Sequence, residues 1–584
     1  MSRLPRQYGV RGALVVGVAA ALAATSAPHA GAVKPSGKAE AAPSTTVRVP
    51  LISASDDVKV ATIGSSVDLV GDPFTVLGAG GAVALTGELE AVPASPQSSA
   101  PQPPRSDNAP ADLSRLTAPG TYTVRIGGPS SATSDPFVVQ DAPYGDVLSS
   151  LLTIYNSNAD GREKSNFHKR SHLNDKASQI ANGPKKGTKI DVTGGWMDSG
   201  DQLKFTTTIG YATTMLQVAA RVHPGRRDQL NAIADIGVRW LLKAHPRRGV
   251  FVSQVGHTNT DHNAGFRDPA SDDKSSTPKL SNRPTYVLTT QTGGSDVAAI
   301  ASTALSLAAQ RTSTGAKRTK LVTAAKAWFN YAKKLKGPWK NCCYQQDTWL
   351  DDVAAAQVEL GLATGNADYL AFGLGTLNRA TGGGTEGFRV LMDGFEMAGL
   401  PAAELCGLLG VRPELTDAQR EQACDVVRSG GQDAAYKASL DPFGRTAPYN
   451  FGTVRGVIAG GLSAFLAAQA GQSGARRVAM RGWGWFLGAN PWGRRWQAGY
   501  GVQNPYHWAF RSTGAVRPAG AVVGGPAPVS VIEANNISGP YVPGPYDTAE
   551  VGYRDDPRDY VTNEVGIPYN APGVLMSALL AARP

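Results

Sequence analysis

Two aspartates stand three positions apart in the stretch DVTGGWMDSGDQLKF, residues 191–205, behind a Gly-Gly-Trp turn. Asp198 and Asp201 could both direct their carboxylates at one water molecule. An ionised carboxylate is easily solvated in a glycine-rich polar loop, and such a group can act as a general base. Aspartates in loops of this composition are also ordinary turn residues. A catalytic interpretation therefore requires a second acidic group elsewhere in the chain.

Glu564 is the second acidic group. It lies in YRDDPRDYVTNEVGIPYNAPGVLM, residues 553–576, among Tyr553, Tyr560 and Tyr569 and just before the last predicted helix. A carboxyl held against aromatic and apolar neighbours tends to have a raised pKa, as a proton donor near neutral pH requires. A glutamate at a helix start is otherwise favoured by the helix dipole alone. One protonated and one ionised carboxyl is the division of labour in glycoside hydrolysis.

Together, these two motifs resemble glycoside hydrolase family 9, the inverting cellulases. Three stretches between them resemble the same family and occur in its order: FVSQVGHTNTDH, GSDVAAIASTALSLAA and LGANPWGRRWQAGYGVQNPYH. The resemblance covers about residues 144–582. The stretch ADLSRLTAPGTYTVRIGG resembles the immunoglobulin-like module that often precedes this catalytic domain.

The resemblance implies a role for each carboxylate. By motif position, Asp201 matches the general base, Asp198 the partner that helps hold the attacking water, and Glu564 the general acid. Glu564 would protonate the glycosidic oxygen while Asp201 activates water on the opposite face of the sugar. This chemistry needs carboxyls about 6.5–9.5 Å apart, inverts the anomeric carbon and requires no cofactor.

The resemblance also implies substrate contacts around the three acids. Aromatic faces on which pyranose rings stack are expected from Trp196, Trp492, Trp496 and Tyr500, and further contacts from His507, Arg511, Asp555 and Tyr560. His507 and Arg511 lie in NPYHWAFR, which replaces the Pro-His-His-Arg stretch of the family with a changed spacing.

Three departures lie close to the acid motif. Gly566 and Pro568 stand where the family has Ala and Asp, and Pro557 stands where an Arg follows two acidic residues. The leading interpretation is an endo-acting β-1,4-glucanase. The same fold and mechanism acting on another β-linked glycan or oligosaccharide remains open, and so does a non-catalytic glycan-binding protein. All three carboxylates are present, which argues against the last.

Metal sites are suggested by two further stretches. HKRSHLND, with His168, His172 and Asp175, resembles a zinc-binding segment of the family, but Ser171 replaces a cysteine ligand, so zinc is not predicted. DTWLDDVAA matches a segment that supplies calcium ligands in some relatives. The predicted structural calcium ligands are Asp347, Asp351 and Asp352, with Asp393 as a further candidate, because clustered carboxylate oxygens suit calcium. Aspartates favoured at a helix N-terminus explain the same pattern.

The elements that must position these residues follow from the hydrophobic periodicity. Period-two runs from 46 to 141, rich in Val, Ile, Thr and Tyr, predict an immunoglobulin-like β-sandwich. From 144 to 584 about twelve amphipathic stretches, with almost no strand pattern between them, predict an all-α (α/α)6 barrel with its long loops gathered at one end. Residues 33–45 are predicted to form a linker. Residues 1–32 have the basic, apolar and Ala-x-Ala order of a secretory signal peptide, ending at Ala32.

The composition of the chain limits the kinds of partner that it is expected to bind. The 584-residue chain carries a net charge of +10, but its basic residues are scattered in short groups, so no nucleic-acid partner is predicted. No stretch is apolar over the roughly twenty residues that span a bilayer, so no membrane partner is predicted either. A secreted monomer acting on a glycan is expected. Four cysteines, Cys342, Cys343, Cys406 and Cys424, allow three disulfide connectivities. Because the first two are adjacent, each is expected to pair with a distant partner.

Overall fold

The computed structural model describes residues 45–92, 106–128, 130–341, 343–382, 391–393, 396–501, 503–506, 519–535 and 539–582. The predicted signal peptide and all but the last residue of the predicted linker lie outside the described residues, as do Cys342, His507 and Arg511. Within the described part of the chain, no helix is both long and apolar enough to cross a bilayer.

A two-sheet β-sandwich forms the N-terminal part. Its strands are β1 Thr45–Arg48, β2 Ile52–Ala54, β3 Val60–Ser65, β4 Pro73–Leu77, β5 Val83–Glu88, β6 Asp107–Asp112, β7 Gly120–Ile126, β8 Ala132–Thr133 and β9 Phe137–Gln140. One sheet has the order β1-β3-β6, and the other has the order β2-β9-β7-β4-β5 with β8 beside β7. Alternate residues of β7 (Tyr122, Val124 and Ile126) point into a core shared by both sheets. The predicted sandwich is confirmed.

The C-terminal part is helical. Its helices are α1 Tyr144–Leu151, α2 Thr153–Ser157, α3 Thr206–Val222, α4 Arg227–Lys243, α5 Thr258–Ala264, α6 Pro269–Asp272, α7 Pro278–Ser281, α8 Ser295–Gln310, α9 Ala316–Leu335, α10 Leu350–Thr364, α11 Ala367–Ala380, α12 Gly399–Cys406, α13 Asp417–Ser439, α14 Thr453–Gln469, α15 Ala475–Phe486, α16 Val529–Ala534, α17 Tyr560–Asn563 and α18 Ile567–Ala581. Short strands of two to four residues lie in the connecting loops: β10 Ser178–Gln179, β11 Lys189–Ile190, β12 Lys204–Phe205, β13 Val252–Val255, β14 Thr285–Val287, β15 Ala527–Pro528 and β16 Val551–Gly552.

Among the described residues, twelve of these helices pack as six inner–outer pairs: α18 with α1, α3 with α4, α8 with α9, α10 with α11, α12 with α13, and α14 with α15. The sequence explains which member lies inside. Inner helix α8 consists of small and apolar residues and is buried on every side from Ser295 to Ala309. Outer helix α9 buries one stripe, including Leu321, Trp328 and Phe329, and leaves its lysines to solvent. The predicted (α/α)6 barrel is confirmed.

The barrel brings its two acidic motifs to one end. The 191–205 stretch leads into inner helix α3, and the Glu564 stretch leads into inner helix α18, which packs directly against α3. An antiparallel bridge between Ser199 and Gly566 joins the two stretches just before these helices begin. The loops that precede neighbouring inner helices therefore form one surface.

The sandwich packs against the barrel near α15. The Leu51 N–H donates to Leu487 O at 3.0 Å, and the Tyr144 hydroxyl donates to Asp57 Oδ2 at 2.6 Å. Arg476 of α15 also pairs with Asp57. The contact joins a sandwich carboxylate to a barrel cation and a barrel hydroxyl, which fixes the sandwich on this side of the barrel.

One disulfide joins α12 to α13. Cys406 and Cys424 are bonded, with their Cα atoms 4.8 Å apart. The expectation that Cys342 and Cys343 each pair with a distant cysteine is therefore wrong, since these two distant cysteines bond each other. The bond forms because Cys406 ends α12 and α13 packs back along it.

Candidate active site

The loop of residues 191–205, named the catalytic loop for the role that its sequence predicts, is held in a fixed shape by glycines. Gly194 and Gly195 adopt φ of 86° and 77°, a region that favours glycine. A Cβ at Gly195 would also come within 2.8 Å of the Trp240 ring. The Gly-Gly pair therefore lets the chain turn tightly over α4 before it reaches the two aspartates.

Asp201 lies at the centre of the loop and is 5% exposed. Its Oδ1 accepts the Leu203 N–H at 3.1 Å, and its Oδ2 lies 3.1 Å from Nε2 of His262, which follows β13 on α5. A donor on each oxygen fixes the plane of the carboxylate, as a general base that must aim at one water requires. His262 was not singled out by the sequence, although it ends the quoted stretch FVSQVGHTNTDH.

Asp198 is buried, with 1% exposure, and its environment differs from the solvated one expected of a glycine-rich loop. Burial, followed by the charge of Asp201, raises its pKa well above the ordinary range. The Tyr344 hydroxyl hydrogen-bonds Asp198 Oδ2 and opposes part of this shift. The surroundings of Asp198 therefore favour its protonated form. The expectation that the ionised forms of Asp198 and Asp201 are easily solvated is wrong, because both side chains are buried.

Glu564 lies between α17 and α18, opposite the catalytic loop. The Ser199 hydroxyl donates to Glu564 Oε1 at 3.0 Å, and Glu564 O accepts the Gly524 N–H at 2.9 Å. Buried Tyr569 has a raised pKa, caused first by burial and then by the charge of Glu564. The structure thus brings the motifs of Asp198, Asp201 and Glu564 together, and the catalytic roles of the three acids stay a prediction.

The residues of this site lie in the part of the chain that the model of a known family matches. The model of glycosyl hydrolase family 9 matches residues 144–577, which include both acidic motifs and the helical barrel up to the last helix, α18. The chain belongs to glycosyl hydrolase family 9.

Similar proteins are named endoglucanases. Endoglucanase 4 of Bacillus sp. (strain KSM-522) is 24% identical over 462 residues, which are 74% of this chain and 68% of that protein. Endoglucanase 14 of Arabidopsis thaliana is 29% identical over 256 residues, 41% of this chain and 48% of that protein, so the match spans about half of that relative.

Solved structures share the fold. A metagenome-derived family 9 endoglucanase matches with a TM-score of 0.73 and 21% identity, over 92% of this chain and 99% of that one. AaCel9A in complex with a cellobiose-like isofagomine matches with a TM-score of 0.71 and 19% identity, over 92% of this chain and 100% of that one. At these identities the likeness establishes the fold.

The tryptophans predicted as stacking platforms are mostly core residues of this family 9 barrel. Trp196 and Trp496 are both 0% exposed. Trp196 packs edge-on against Tyr155, and Trp496 packs between Trp485 and Tyr553. Their prediction as substrate contacts is wrong, because neither ring has a free face. Trp492 keeps 8% exposure and donates from Nε1 to Asp547 at 2.8 Å, so its contact with substrate stays a prediction.

Asp555 and Tyr560 are two further residues that were predicted to contact the substrate. Asp555 accepts the Tyr506 N–H and lies 3.3 Å from Arg494, next to the stretch that contains His507 and Arg511. Those two residues are outside the described part of the chain, so their role stays a prediction. The Tyr560 hydroxyl donates to Asn535 Oδ1 at 2.7 Å. The Tyr560 ring meets that of Phe451, which is 37% exposed and was not found from the sequence.

Among the described residues, the predicted calcium ligands do not form a group of three side-chain ligands within 4.8 Å of one another. Asp351 and Asp352 are buried and Asp347 is exposed, and their oxygens do not converge with those of a third ligand. Asp351 Oδ2 instead accepts the Met397 N–H at 2.7 Å, and Asp393 lies 3.6 Å from Arg455. Asp351 and Asp393 thus have protein partners, and calcium binding by this ligand set stays a prediction.

A different trio lies closer together. Among the described residues, one group of three metal-ligating side chains has ligand atoms within 4.8 Å of one another: Asp201, Asp261 and His262. Asp261 is already paired with Arg267 at 2.5 Å and accepts the Gln202 N–H at 3.3 Å. Protein donors therefore occupy both Asp261 oxygens, and the trio serves to hold the catalytic loop.

Proposed function

We propose that this protein is a secreted endo-β-1,4-glucanase that hydrolyses β-glucan with inversion, using Glu564 as general acid and Asp201 as general base. One observation carries the proposal. The Ser199 hydroxyl bonds Glu564 at 3.0 Å while Asp201 lies two residues further along the same loop, so the two carboxyl motifs share one site. The endoglucanase names of the similar proteins support β-glucan as the substrate class.

Glu564 would begin the reaction by donating its proton to the glycosidic oxygen as the bond from that oxygen to the anomeric carbon breaks. Asp201 would take a proton from a water on the opposite face of the sugar, and the oxygen of that water would form the new bond to the anomeric carbon. Acid and base exchange protonation states, and solvent restores both. Carboxyls alone supply this chemistry, so no cofactor takes part.

A proton on Asp198 would explain how two neighbouring aspartates can serve one water. Two carboxylates in close contact resist double ionisation, because like charges disfavour each other. Burial, followed by the charge of Asp201, raises the pKa of Asp198 and favours its protonated form, which would leave Asp201 to accept the proton of water. Tyr344 holds Asp198 in position. Asp198 would then help to orient the water without competing for its proton.

Two departures from the family pattern are accounted for by packing. A Cβ at Gly566 would lie 3.2 Å from Ser199 Cβ, so glycine allows the close approach of the strand segments that joins the two motifs. Pro568 lies in the first turn of α18, where proline is favoured because it needs no N–H donor. Neither departure therefore requires a different glycan.

A panel of polysaccharides and oligosaccharides tests the substrate class. Soluble cellulose derivatives and cello-oligosaccharides should be cleaved fastest, with mixed-linkage β-glucan next and glucosamine oligomers slowest. Endo action should give a rapid loss of viscosity with few new reducing ends. If another β-linked glycan were cleaved fastest, the proposed substrate would be wrong, but the proposed mechanism would still stand. Binding without turnover on every substrate would favour the glycan-binding alternative.

The anomer of the first product tests the mechanism. From a β-linked cello-oligosaccharide, proton NMR in the first minutes should show the α-anomer before mutarotation mixes the signals, because water attacks the face opposite the leaving group. Heat-inactivated enzyme with added product gives the mutarotation rate as the control. An initial β-anomer would mean retention through a covalent intermediate, and Asp201 could not then be the base.

Secretion is proposed from the N-terminal signal pattern of residues 1–32. The observable is the N-terminus of protein recovered from the medium of an expressing bacterium, which should begin at Val33. If the protein were recovered only from the cell interior and with an intact N-terminus, the proposal of secretion would be wrong.

A further inference from the structure

A network of buried charges lies beside the catalytic loop. Its core consists of Asp160, His172, Asp175, Lys204 and Arg283, all between 0% and 3% exposed. Lys204 Nζ lies 2.8 Å from both Asp160 Oδ2 and Asp175 Oδ2, and Arg283 lies 2.6 Å from Asp175. Buried charges are stable only when they are paired and hydrogen-bonded, so this network is a costly feature of the fold. The proposed acid–base mechanism does not use any of these five side chains.

A second group of charges continues the network toward the catalytic base. Arg267 bonds Asp272 through two nitrogens at 2.7 and 2.9 Å, and it pairs with Asp261 at 2.5 Å. His172 joins this group to the first one. Its Nδ1 lies 2.8 Å from Asp160 Oδ1, and its Nε2 lies 3.3 Å from Asp272 Oδ2.

The geometry of His172 requires a charged ring. A neutral imidazole carries one N–H, whereas a carboxylate oxygen can only accept. With both ring nitrogens facing carboxylates, only the doubly protonated form donates to each. The charge count agrees. The network holds four carboxylates (Asp160, Asp175, Asp261 and Asp272) and three fixed cations (Lys204, Arg267 and Arg283), so an imidazolium at His172 makes it neutral.

The network holds the chain on both sides of Asp201. Gln202 follows Asp201 directly, and its N–H donates to Asp261 Oδ2 at 3.3 Å while its carbonyl accepts from Arg283. Lys204 donates to Val192 O at 2.8 Å and to Gly194 O at 3.2 Å, which ties the start of the loop to its end. Asp261 also precedes His262, the partner of Asp201 Oδ2. A change in the network would therefore move the base.

We infer that His172 is a positioning residue for the proposed base: as a buried imidazolium it joins the two halves of the charge network, and it keeps Asp201 in register with Glu564 only while it is protonated. The inference rests on the proposed role of Asp201. His172 is buried and its ring contacts Asp160 and Asp272, so it acts on the base through Gln202, Lys204 and His262.

The expected pH dependence has a definite sign. Burial and the charge of Arg283 act to lower the pKa of His172, but the charge and hydrogen bonds of Asp160 and the bond from Asp272 outweigh them, and the pKa is raised. Lys204 and Ser171 also face Asp160 from the neighbouring segments. A group whose folded-state pKa exceeds its unfolded value of about 6.5 stabilises the fold fully below that value. This contribution is lost as the pH rises through the folded-state pKa.

The test compares His172→Gln with the wild-type enzyme across pH. Glutamine can still hydrogen-bond but carries no charge, so the variant should resemble the deprotonated wild type at every pH. At about pH 6 its kcat should be roughly 10²-fold lower, the cost of a misplaced catalytic group, with KM little changed. The wild-type to variant ratio should then fall toward one as the pH rises. A purely structural role would give a ratio that does not change with pH, and would overturn the inference.

Two controls complete the design. His168→Gln is matched in type and lies four residues away, where its Nε2 contacts Ser157 O, and it should keep wild-type activity at all pH values. If His172→Gln does not fold, nitrogen-15 NMR of labelled histidine in the intact enzyme still decides, because two protonated ring nitrogens are expected at neutral pH and a neutral tautomer would refute the inference. Asp201→Asn separates the two proposals. If that variant stays active, the proposed base is wrong. If it is inactive while the His172→Gln ratio is flat, only the positioning role fails.

Discussion

Replacing Asp201 with asparagine is expected to lower kcat by about 10²–10⁴-fold, the usual effect of losing a general base. The side chain is almost isosteric, and its Oδ1 can still accept the Leu203 N–H, so the loop should keep its shape. What is lost is the carboxylate that takes a proton from water. Steady-state rates on a soluble β-glucan give the effect on kcat, and thermal unfolding should show a midpoint close to that of the wild type.

Asp191→Asn is the matched control for this variant. Asp191 lies in the same catalytic loop but is exposed, where it bonds Thr193 and pairs with Lys243. Loss of such a surface interaction should change activity by less than about threefold, since exposed ion pairs contribute little. If Asp201→Asn retained most of the wild-type rate, or if both variants lost activity equally, the base would have to be sought elsewhere.

The sequence predicted the three carboxylates because the chemistry places them in short local motifs. Asp198 and Asp201 lie in one turn, and Glu564 stands at the start of a helix, so each motif is short, although only the two motifs together indicate catalysis. The barrel was predictable for a similar reason, since the helical period of stretches such as α8 and α9 reports which faces are buried. Short-range patterns of this kind can be recognised in a single sequence.

The partners of the carboxylates were not predictable in this way. Tyr344 lies 146 residues from Asp198, and His262 lies 61 residues from Asp201, so each contact exists only because the barrel folds these loops together. No local pattern marks either residue. The raised pKa of Asp198 has the same origin, because its burial is a property of the assembled site.

The tryptophans show a different limit of prediction from the sequence. A Trp side chain suits both a sugar-stacking surface and a barrel core, and the residue type alone does not distinguish them. Packing decides: a Cβ at Gly237 of α4 would lie 2.7 Å from the Trp196 ring, so this glycine provides the space that encloses Trp196. The disulfide was equally undetermined, because Cys406 and Cys424 meet only when α13 packs along α12.

Replacing Glu564 with glutamine is expected to have an effect that depends on the leaving group. With cello-oligosaccharides, whose leaving sugar alcohol needs a proton, kcat should fall by about 10²–10⁴-fold. With an aryl cellobioside whose dinitrophenolate leaves without a proton, the variant should keep a rate close to that of the wild type. Ser199 can still donate to the remaining side-chain oxygen, so the geometry of the site should be preserved.

This dependence distinguishes the acid from the base. Asp201→Asn should slow both substrates, because each requires the attacking water to be deprotonated, whereas Glu564→Gln should slow only the one that needs protonation. Glu550→Gln, at an exposed position in the loop before the Glu564 motif, is the control and should behave as wild type on both. Equal losses on the two substrates would remove Glu564 from the role of acid. If the pattern is reversed, with Asp201→Asn sparing the aryl substrate, the two roles are exchanged, and the catalytic loop would then protonate the leaving oxygen while Glu564 activates the water.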